Sequence, residues 1–209
     1  MSTNTIITIE RQYGSGGHLI GEKLAESLGI PFYDSELIKV AAKESGICEE
    51  IFESFDEKPT TSFLYSLVMD PYSLGYNSNS FDLPLNHKVF LAAFDTIKEL
   101  ASKGPCVFVG RCADYALSEY KDCFSVFVHA DTDWRINRLS QKHNKTAKEA
   151  KDMINKTDKS RSSYYNYYTN KKWGAAAGYS LSVDSSVLGI EGAAQAIINT
   201  IHIFDDLKK

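Results

Sequence analysis

"IITIERQYGSGGHLIGEKLAESLGIPFYD", residues 6–34, is the stretch of the sequence that decides the fold. It begins with β-branched residues typical of a buried strand, passes through a cluster of glycines, and then spaces its apolar residues as in an amphipathic helix. A second short apolar run ends it. Backbone N–H groups and a helix N-terminus hold phosphate groups in this setting of strand, glycine loop and helix. The stretch therefore raises the question of whether the chain binds a nucleotide.

The rest of the chain continues the same alternation of strands and helices. The first stretch predicts a strand over Thr5 to Glu10, a helix over Gly17 to Leu28 that Gly29 ends, and a second strand within 30–34. Because later strands also alternate with helices, we expect an α/β fold with a parallel sheet. The later elements are predicted as a helix over 85–102, a strand in 105–110, a short helix in 111–120, a strand in 123–130, a helical segment in 131–145 with Asp131 or Thr132 as its cap, a long polar helix over 146–168, a strand near 178–184 and a helix in 190–207.

The length and composition of the chain exclude several classes of protein. A chain of 209 residues is long enough for a single domain with a substantial core. Its net charge of −4 argues against general nucleic-acid binding. No apolar run reaches the roughly 18–20 residues of a membrane-spanning helix. Four cysteines without CxxC spacing indicate reduced thiols, so we expect a cytoplasmic protein. From the net charge and the lack of a long apolar run, we expect it to bind neither nucleic acid nor membranes.

Residues 56–86 differ from the rest of the chain. They mix Pro, Gly, Ser and Asn with aromatic residues and show no sustained period. This composition predicts a lobe inserted into the single domain, with short helical pieces.

The glycine loop matches the standard phosphate-binding pattern G-x-x-x-x-G-K-[ST] only in part. That pattern would place glycines at 11 and 16, lysine at 17 and Ser or Thr at 18, and only Gly16 agrees. Two other interpretations stay open. A dinucleotide fingerprint beginning at Gly14 would need glycine where Leu19 stands, although Asp34 lies where a ribose-binding acid is expected. The glycines could also form a plain tight turn.

Arginines further along the chain favour phosphate chemistry. Arg111 follows a glycine at the end of a predicted core strand, where ligands bind in open α/β folds. Two pairs of residues three apart, Arg135 with Arg138 and Asp158 with Arg161, lie on predicted helices. Several guanidinium groups around one cleft suit phosphoryl transfer better than hydride transfer. The alternative is that these side chains form solvated faces and intrahelical pairs.

The order of these motifs resembles the cytidylate kinase-like family, a branch of the nucleoside monophosphate kinases. The resemblance extends from Thr5 to about Ile198, and RQYGSGG (11–17) with Gly110–Arg111 is its most specific part. It implies a three-layer α/β fold of the P-loop kinase type, with a parallel sheet, a monophosphate-binding insertion at about 56–86 and a helical lid at about 131–172. The motifs that carry it are the glycine loop, FYDSELI (32–38), VGRCADY (109–115), RINRL (135–139) and DKSRSSYYNYY (158–168).

The resemblance also implies an activity: ATP-dependent phosphoryl transfer to a pyrimidine nucleoside monophosphate, CMP or dCMP, with Mg²⁺. Asp34 and Arg111 are then expected on the acceptor side, and Asp158 is expected to help place the pyrimidine nucleotide. The lid arginines Arg135, Arg138 and Arg161 are expected to reach the transferring group. The residues expected to hold the donor phosphates are Gly14, Ser15, Gly16, Gly17 and His18.

Two departures from the pattern bear on catalysis. Gly17 cannot supply the charge of the usual lysine, and His18 cannot supply the hydroxyl that usually holds Mg²⁺, so the metal ligands are not identified. One hypothesis is a kinase with a rearranged set of cations, in which Arg11 replaces the lysine or the lid arginines Arg135 and Arg138 do so on closure. The other is a nucleotide-binding regulatory or partner-binding protein with little or no kinase activity.

An aromatic cluster lies in residues 162–173, SSYYNYYTNKKW. Such a cluster could stack on a nucleobase, or it could form a half-buried helix face or a protein interface. A homodimer through this cluster or through residues 56–86 is a further expectation.

Overall fold

The computed structural model describes residues 3–34 and 85–208, with side chains described from 90 onward in the second range. Its strands are β1 (Ile6–Arg11), β2 (Phe32–Tyr33), β3 (Val107–Val109), β4 (Cys123–His129) and β5 (Leu181–Asp184). All pairings are parallel, and the strand order is β2-β3-β1-β4-β5. The predicted parallel α/β sheet is confirmed.

The described helices agree closely with the sequence pattern. They are α1 (Gly17–Leu28), α2 (Leu85–Ser102), α3 (Ala113–Ala116), α4 (Thr132–His143), α5 (Ala147–Thr169) and α6 (Ser185–Asp206), with a 3₁₀ turn at Ala176–Gly178. Gly29 ends α1 in the left-handed conformation. The helix α6 begins five residues earlier than 190, but Gly189, with φ 69° and ψ 176°, interrupts its first turns.

The predicted lid region contains α4 and α5. The Asp131 carboxylate caps α4 by accepting from the N–H groups of Asp133 and Trp134. Thr146 and Glu149 form a capping box at the start of α5. The predicted insertion lies outside the described residues, apart from 85 and 86 at the start of α2.

Two helical layers enclose the sheet. On one face, Ile7 and Ile9 of β1 pack against α1 and α6. On the other face, Phe108 of β3 packs against Ile97 of α2 and the end of α3. Because alternate residues of a strand point to opposite faces, the all-buried β1 supplies both layers of the core. The three-layer architecture predicted by resemblance is therefore present.

Of the described helices, α6 has the length and the apolar composition that a membrane crossing requires. Its side chains Ala193, Ala194, Ile197 and Ile201 are buried in the core beside α1 and the sheet. This face of α6 therefore belongs to the core, whereas Val187, Leu188 and Ile203 on the same helix are exposed. The three described cysteines, Cys106, Cys112 and Cys123, are free thiols.

The strand order places a crevice at the carboxyl end of β1. The chain runs from β1 to β2 and β3 on one side, and then crosses to β4 and β5 on the other. In open α/β sheets, ligands bind outside the carboxyl ends of the strands where the order reverses. The glycine loop at residues 12–16 follows β1 directly, so it lies at this crevice.

Two helix glycines give a matched test of the packing between α1 and the sheet. A Cβ atom at buried Gly21 would lie 2.8 Å from Cγ2 of Val109, whereas a Cβ atom at exposed Gly192 in α6 meets only Leu188 at 3.4 Å. Gly192→Ala should raise the free energy of unfolding by about 0.5–1 kcal/mol, because alanine favours a helix. Gly21→Ala should lower it, since overpacking costs about 1–3 kcal/mol. Urea unfolding measures both, and a stabilised Gly21→Ala variant would contradict the close packing.

Candidate functional site

A cavity of about 440 Å³ opens at the carboxyl end of β1. Most of the residues predicted for the site line it. Three of the predicted residues, Ser15, Arg135 and Asp158, are not part of its wall. The predicted residues in the wall are Arg11, Gly14, Gly16, Gly17, His18, Asp34, Arg111, Arg138 and Arg161, and the other wall residues are Gln12, Tyr13, Leu19, Leu139, Lys142 and His143.

The glycine loop has its carbonyl groups occupied. Gly14 and Gly16 both adopt φ of 83°, a left-handed conformation that glycine accepts without strain. Each carbonyl oxygen from residue 12 to residue 16 accepts a hydrogen bond. The donors are, in chain order, the N–H of Ser15, the guanidinium of Arg135, the guanidinium of Arg138, the hydroxyl of Ser185 and the N–H of Ile20.

The N–H groups of the same loop are differently placed. Within the described residues, no hydrogen bond uses the N–H groups of Gly14, Gly16, Gly17 or His18. The N-cap residue of α1 is Gly16, and no side chain of the described part of the chain makes a capping hydrogen bond there. N–H groups that converge at the start of a helix form a binding site for anions. The loop can therefore hold a phosphate group with its backbone.

The Arg11 side chain packs against two glycines, Gly17 and Gly110. It is only 7% exposed. A Cβ atom at Gly17 would lie 2.5 Å from Cβ of Arg11, and a Cβ atom at Gly110 would overlap the guanidinium group of Arg11. The stem of Arg11 therefore passes over the position of the usual lysine, and its head lies at the end of β3. Gly17 is the residue that leaves room for this path.

The turn after β3 carries Arg111 into the cavity wall. Gly110, Arg111 and Cys112 have φ of 85°, 61° and 54°, so three successive residues are left-handed. This conformation is rare for residues other than glycine, and strain of this kind clusters at functional sites. Burial lowers the pKa of Arg111 to about 10, and the neighbouring charge of Arg11 acts in the same direction. Arg111 still carries its charge at neutral pH.

His18 forms an ion pair with Asp34. The Nε2 atom of His18 lies 2.8 Å from Oδ2 of Asp34, and Nδ1 lies 3.4 Å from Oε2 of Glu22. The hydrogen bond to Asp34 raises the pKa of His18 against the opposing effect of burial. Burial alone would raise the pKa of Asp34, but the hydrogen bond from His18 and the charge of Arg11 outweigh it and lower the pKa. Asp34 is thus held ionised in the cavity wall.

The described residues do not fit a protein-held Mg²⁺ ion. They contain no cluster of three or more His, Cys, Asp and Glu side chains suited to a metal. Asp34 is the single carboxylate in the described wall, and it is already paired with His18. Hard cations such as Mg²⁺ require oxygen ligands. At position 18, where the metal-binding hydroxyl usually stands, this chain has His18, which is paired with Asp34.

Arg135 and Asp158 join two helices behind the loop. Nη1 of Arg135 lies 2.7 Å from Oδ2 of Asp158, which links α4 to α5. The Arg135 side chain is 7% exposed and that of Asp158 is 18% exposed. The alternative of solvated faces and intrahelical pairs therefore does not describe this pair. Arg161, one turn after Asp158, donates to the carbonyl oxygen of Arg11 at 3.1 Å and also lines the cavity.

All five arginines of the sequence lie in the wall of this cavity or directly behind it. Lys142 and Tyr13 are among the six wall residues that the sequence did not predict. Lys142 lies one helical turn after Arg138, so the (i, i+4) spacing could have indicated it. The ring of Tyr13 lies under the guanidinium of Arg161 at 5.7 Å, and nothing in its spacing signals that contact.

The aromatic cluster at 162–173 packs into the protein. Tyr165 donates to Asp114 at 2.6 Å, and the ring of Tyr168 stacks on Phe90 with centroids 4.0 Å apart. The indole N–H of Trp173 donates to Glu10 at 3.1 Å. These contacts are those of a half-buried helix face, and none of the cluster lines the main cavity within the described residues.

Comparisons with known proteins agree with this architecture. The model of the cytidylate kinase-like family matches residues 6–187. A comparison with curated proteins found no match. Among solved structures, an uncharacterized protein from Eubacterium ventriosum superposes with a TM-score of 0.71 at 28% sequence identity, covering 95% of this chain and 98% of that chain.

Two kinases of known structure share the fold at lower identity. Shikimate kinase from Bacteroides thetaiotaomicron superposes with a TM-score of 0.53 at 16% identity, over 95% of this chain and 98% of that chain. A gluconokinase from Sinorhizobium meliloti gives 0.52 at 14% identity, over 99% of this chain and 96% of that chain. At these identities the likeness concerns the fold alone, and it confirms the predicted P-loop kinase type.

The pairing of His18 with Asp34 can be measured by NMR titration. We expect His18 to titrate above 6.5, the usual value for histidine. Asp34→Asn should bring its midpoint down more than Glu22→Gln does, because the bond to Asp34 is the principal cause of the rise. An unchanged midpoint in Asp34→Asn would contradict the ion pair.

The same pair makes a signed contribution to stability. The raised pKa of His18 stabilises the fold at low pH, and this contribution is lost as the pH rises through that pKa. The lowered pKa of Asp34 stabilises the fold at higher pH, and this contribution is lost as the pH falls through that pKa. The stability difference between wild type and His18→Gln should therefore be largest between about pH 4 and 6.5.

Proposed function

Because the chain belongs to the cytidylate kinase-like family, we propose that it transfers a phosphoryl group from ATP to a pyrimidine nucleoside monophosphate, CMP or dCMP. Membership of the family supports nucleotide-dependent kinase activity in general. The choice of a pyrimidine acceptor goes further, and it rests on the resemblance of the motifs around Arg111 and Asp158 to those of the family. Such an enzyme would act in the cytoplasm on small-molecule nucleotides.

One observation carries the proposal. The loop at 12–16 has every carbonyl oxygen bonded away, while the N–H groups of Gly14, Gly16, Gly17 and His18 make no hydrogen bond within the described residues. A plain turn gains nothing from such an arrangement, since unpaired N–H groups cost free energy once they are removed from water. A phosphate group would satisfy them. The dinucleotide alternative is disfavoured because Asp34 is engaged by His18.

The charge of the cavity supports a polyphosphate ligand. Five cationic side chains meet a single carboxylate, that of Asp34, in the described wall. A donor triphosphate and an acceptor monophosphate together would balance this excess of positive charge. Phosphoryl transfer depends mainly on positioning and on neutralising the phosphate oxygens. The five cations are Arg11, Arg111, Arg138, Lys142 and Arg161.

The cations divide between the two sides of the cavity. Arg138 touches the glycine loop through the carbonyl oxygen of Gly14 at 3.2 Å, on the proposed donor side. Arg111 lies at the end of β3 and its pKa responds to Asp34, on the proposed acceptor side. Arg11 runs from the loop to Gly110 and so spans the two. This path suits a residue that contacts the group in transfer.

A second function rests on the changed residues of the loop. Gly17 provides no charge, and His18 is paired with Asp34 where a metal-binding hydroxyl is usual. These changes favour a nucleotide-binding regulatory protein that has little or no kinase activity.

A binding panel and a coupled assay separate the two functions. Calorimetry with ATP, CMP, dCMP, UMP and AMP tests the premise that they share, and the assay measures ADP release with each acceptor. The proposal expects ATP and CMP or dCMP to bind and to react. Binding without turnover would favour the regulatory function. Absence of binding for every nucleotide would contradict both.

The replacement of the missing lysine is tested by comparing Arg11→Met with Arg138→Met. Methionine keeps an unbranched stem and removes the charge. If Arg11 replaces the lysine, Arg11→Met should weaken ATP binding without any acceptor by about 1.5–3 kcal/mol, or roughly ten- to a hundredfold.

Lys145→Met is the matched control, because Lys145 is an exposed lid cation paired with Glu149 outside the cavity. It should leave ATP affinity nearly unchanged. Unchanged ATP binding in Arg11→Met together with its collapse in Arg138→Met would assign the role to the lid instead.

A further inference from the structure

Both polar groups of the Tyr13 main chain are held by a pair of charged side chains. The N–H of Tyr13 donates to Oδ1 of Asp158 at 2.7 Å. The carbonyl oxygen of Tyr13 accepts from Nη1 of Arg135 at 3.3 Å. The same Nη1 donates to Oδ2 of Asp158 at 2.7 Å. The three residues therefore form a closed ring of hydrogen bonds, which we call the loop clamp.

The loop clamp acts from behind the cavity. Neither Arg135 nor Asp158 belongs to the cavity wall, and both side chains are largely buried. In this structure neither side chain reaches the cavity. Tyr13 directly precedes Gly14, so the clamp fixes the point at which the loop begins to turn.

The spacing of the charged residues has the same explanation on both helices. On α4, Arg135 holds Tyr13, and Arg138, one turn later, holds the carbonyl oxygen of Gly14. On α5, Asp158 holds Tyr13, and Arg161, one turn later, holds the carbonyl oxygen of Arg11. In each pair the first residue reaches the back of the loop, and the second also lines the cavity.

We propose that Asp158 and Arg135 are positioning residues that set the anion-binding conformation of the glycine loop. Asp158 then serves the donor side, not the pyrimidine acceptor that the resemblance implies. The inference rests on the proposed function only in that the loop holds donor phosphates. Because a binding site that is already ordered loses less entropy on binding, loss of the clamp weakens phosphate binding without removing any contact to the ligand.

The hydrogen bond of the Tyr13 amide can be tested without any nucleotide. In the wild type, exchange of this amide proton with solvent should be slow, because the carboxylate of Asp158 accepts it. In Asp158→Ala the exchange should become at least about tenfold faster, since a lost hydrogen bond to a charged group is worth that factor or more. Asp158→Asn keeps an acceptor for this N–H, so it should stay folded and show an intermediate rate. Equal exchange in wild type and Asp158→Ala overturns the clamp.

Calorimetry then separates a positioning role from an acceptor contact. The probes are tripolyphosphate, which is a phosphate chain without a base, and CMP. Asp158→Ala and Asp158→Asn should lose affinity for tripolyphosphate, by roughly tenfold or more in the alanine variant, and keep their affinity for CMP. Asp152→Ala, an exposed carboxylate on the same helix, should change neither. Weakened CMP with unchanged tripolyphosphate would assign Asp158 to the acceptor and overturn the inference.

The two proposals fail in different ways. If the wild type binds neither probe while the amide exchange behaves as expected, the clamp stands and the proposed function fails. If the wild type binds both probes and the Asp158 variants bind tripolyphosphate as tightly as the wild type does, the positioning role is overturned and the proposed function stands.

Discussion

The buried charge of Arg11 is the constraint on which the site depends. A guanidinium group that leaves water loses much of its solvation, so the protein must place polar partners and open space around it. Its stem needs a residue without Cβ at 17, and its head needs one at 110. The path of the Arg11 side chain therefore explains two features of the sequence. Glycine stands at 17 in place of the usual lysine, and glycine stands at 110, before Arg111.

The carbonyl oxygens and the N–H groups of the glycine loop have different surroundings. Side chains from α4 and from the start of α6, together with main-chain N–H groups of the loop and of α1, satisfy its carbonyl oxygens, whereas the N–H groups of Gly14, Gly16, Gly17 and His18 make no hydrogen bond within the described residues. All of the arginines gather here in a chain whose net charge is −4. Concentrating like charges at one point is unfavourable without a counter-charge. Within the described wall, the phosphate oxygens of the proposed nucleotides would supply this counter-charge.

Local chemistry made much of the fold predictable from sequence. Periodicity and Gly29 gave both ends of α1, and β-branched runs located the strands, because these signals act over a few residues. The contacts of Arg135 with Asp158 and of His18 with Asp34 join residues that are distant along the chain, so only the tertiary structure reveals them. The sequence therefore located the cavity and most of its wall, but it did not separate the residues that line the cavity from those that support it. Lys142 was missed although its spacing from Arg138 was available.

If the N–H groups of the glycine loop bind the donor phosphates, their NMR signals should respond to ATP. Titration of the ¹⁵N-labelled protein with ATP should shift the amide signals of Gly14, Gly16, Gly17 and His18 downfield together, because each N–H gains a charged acceptor. The amides of Tyr13 and Ser15, which already donate to Asp158 and Gln12, should move less than these four. Saturable shifts elsewhere in the protein with these four signals unmoved would show that the loop does not bind the phosphates.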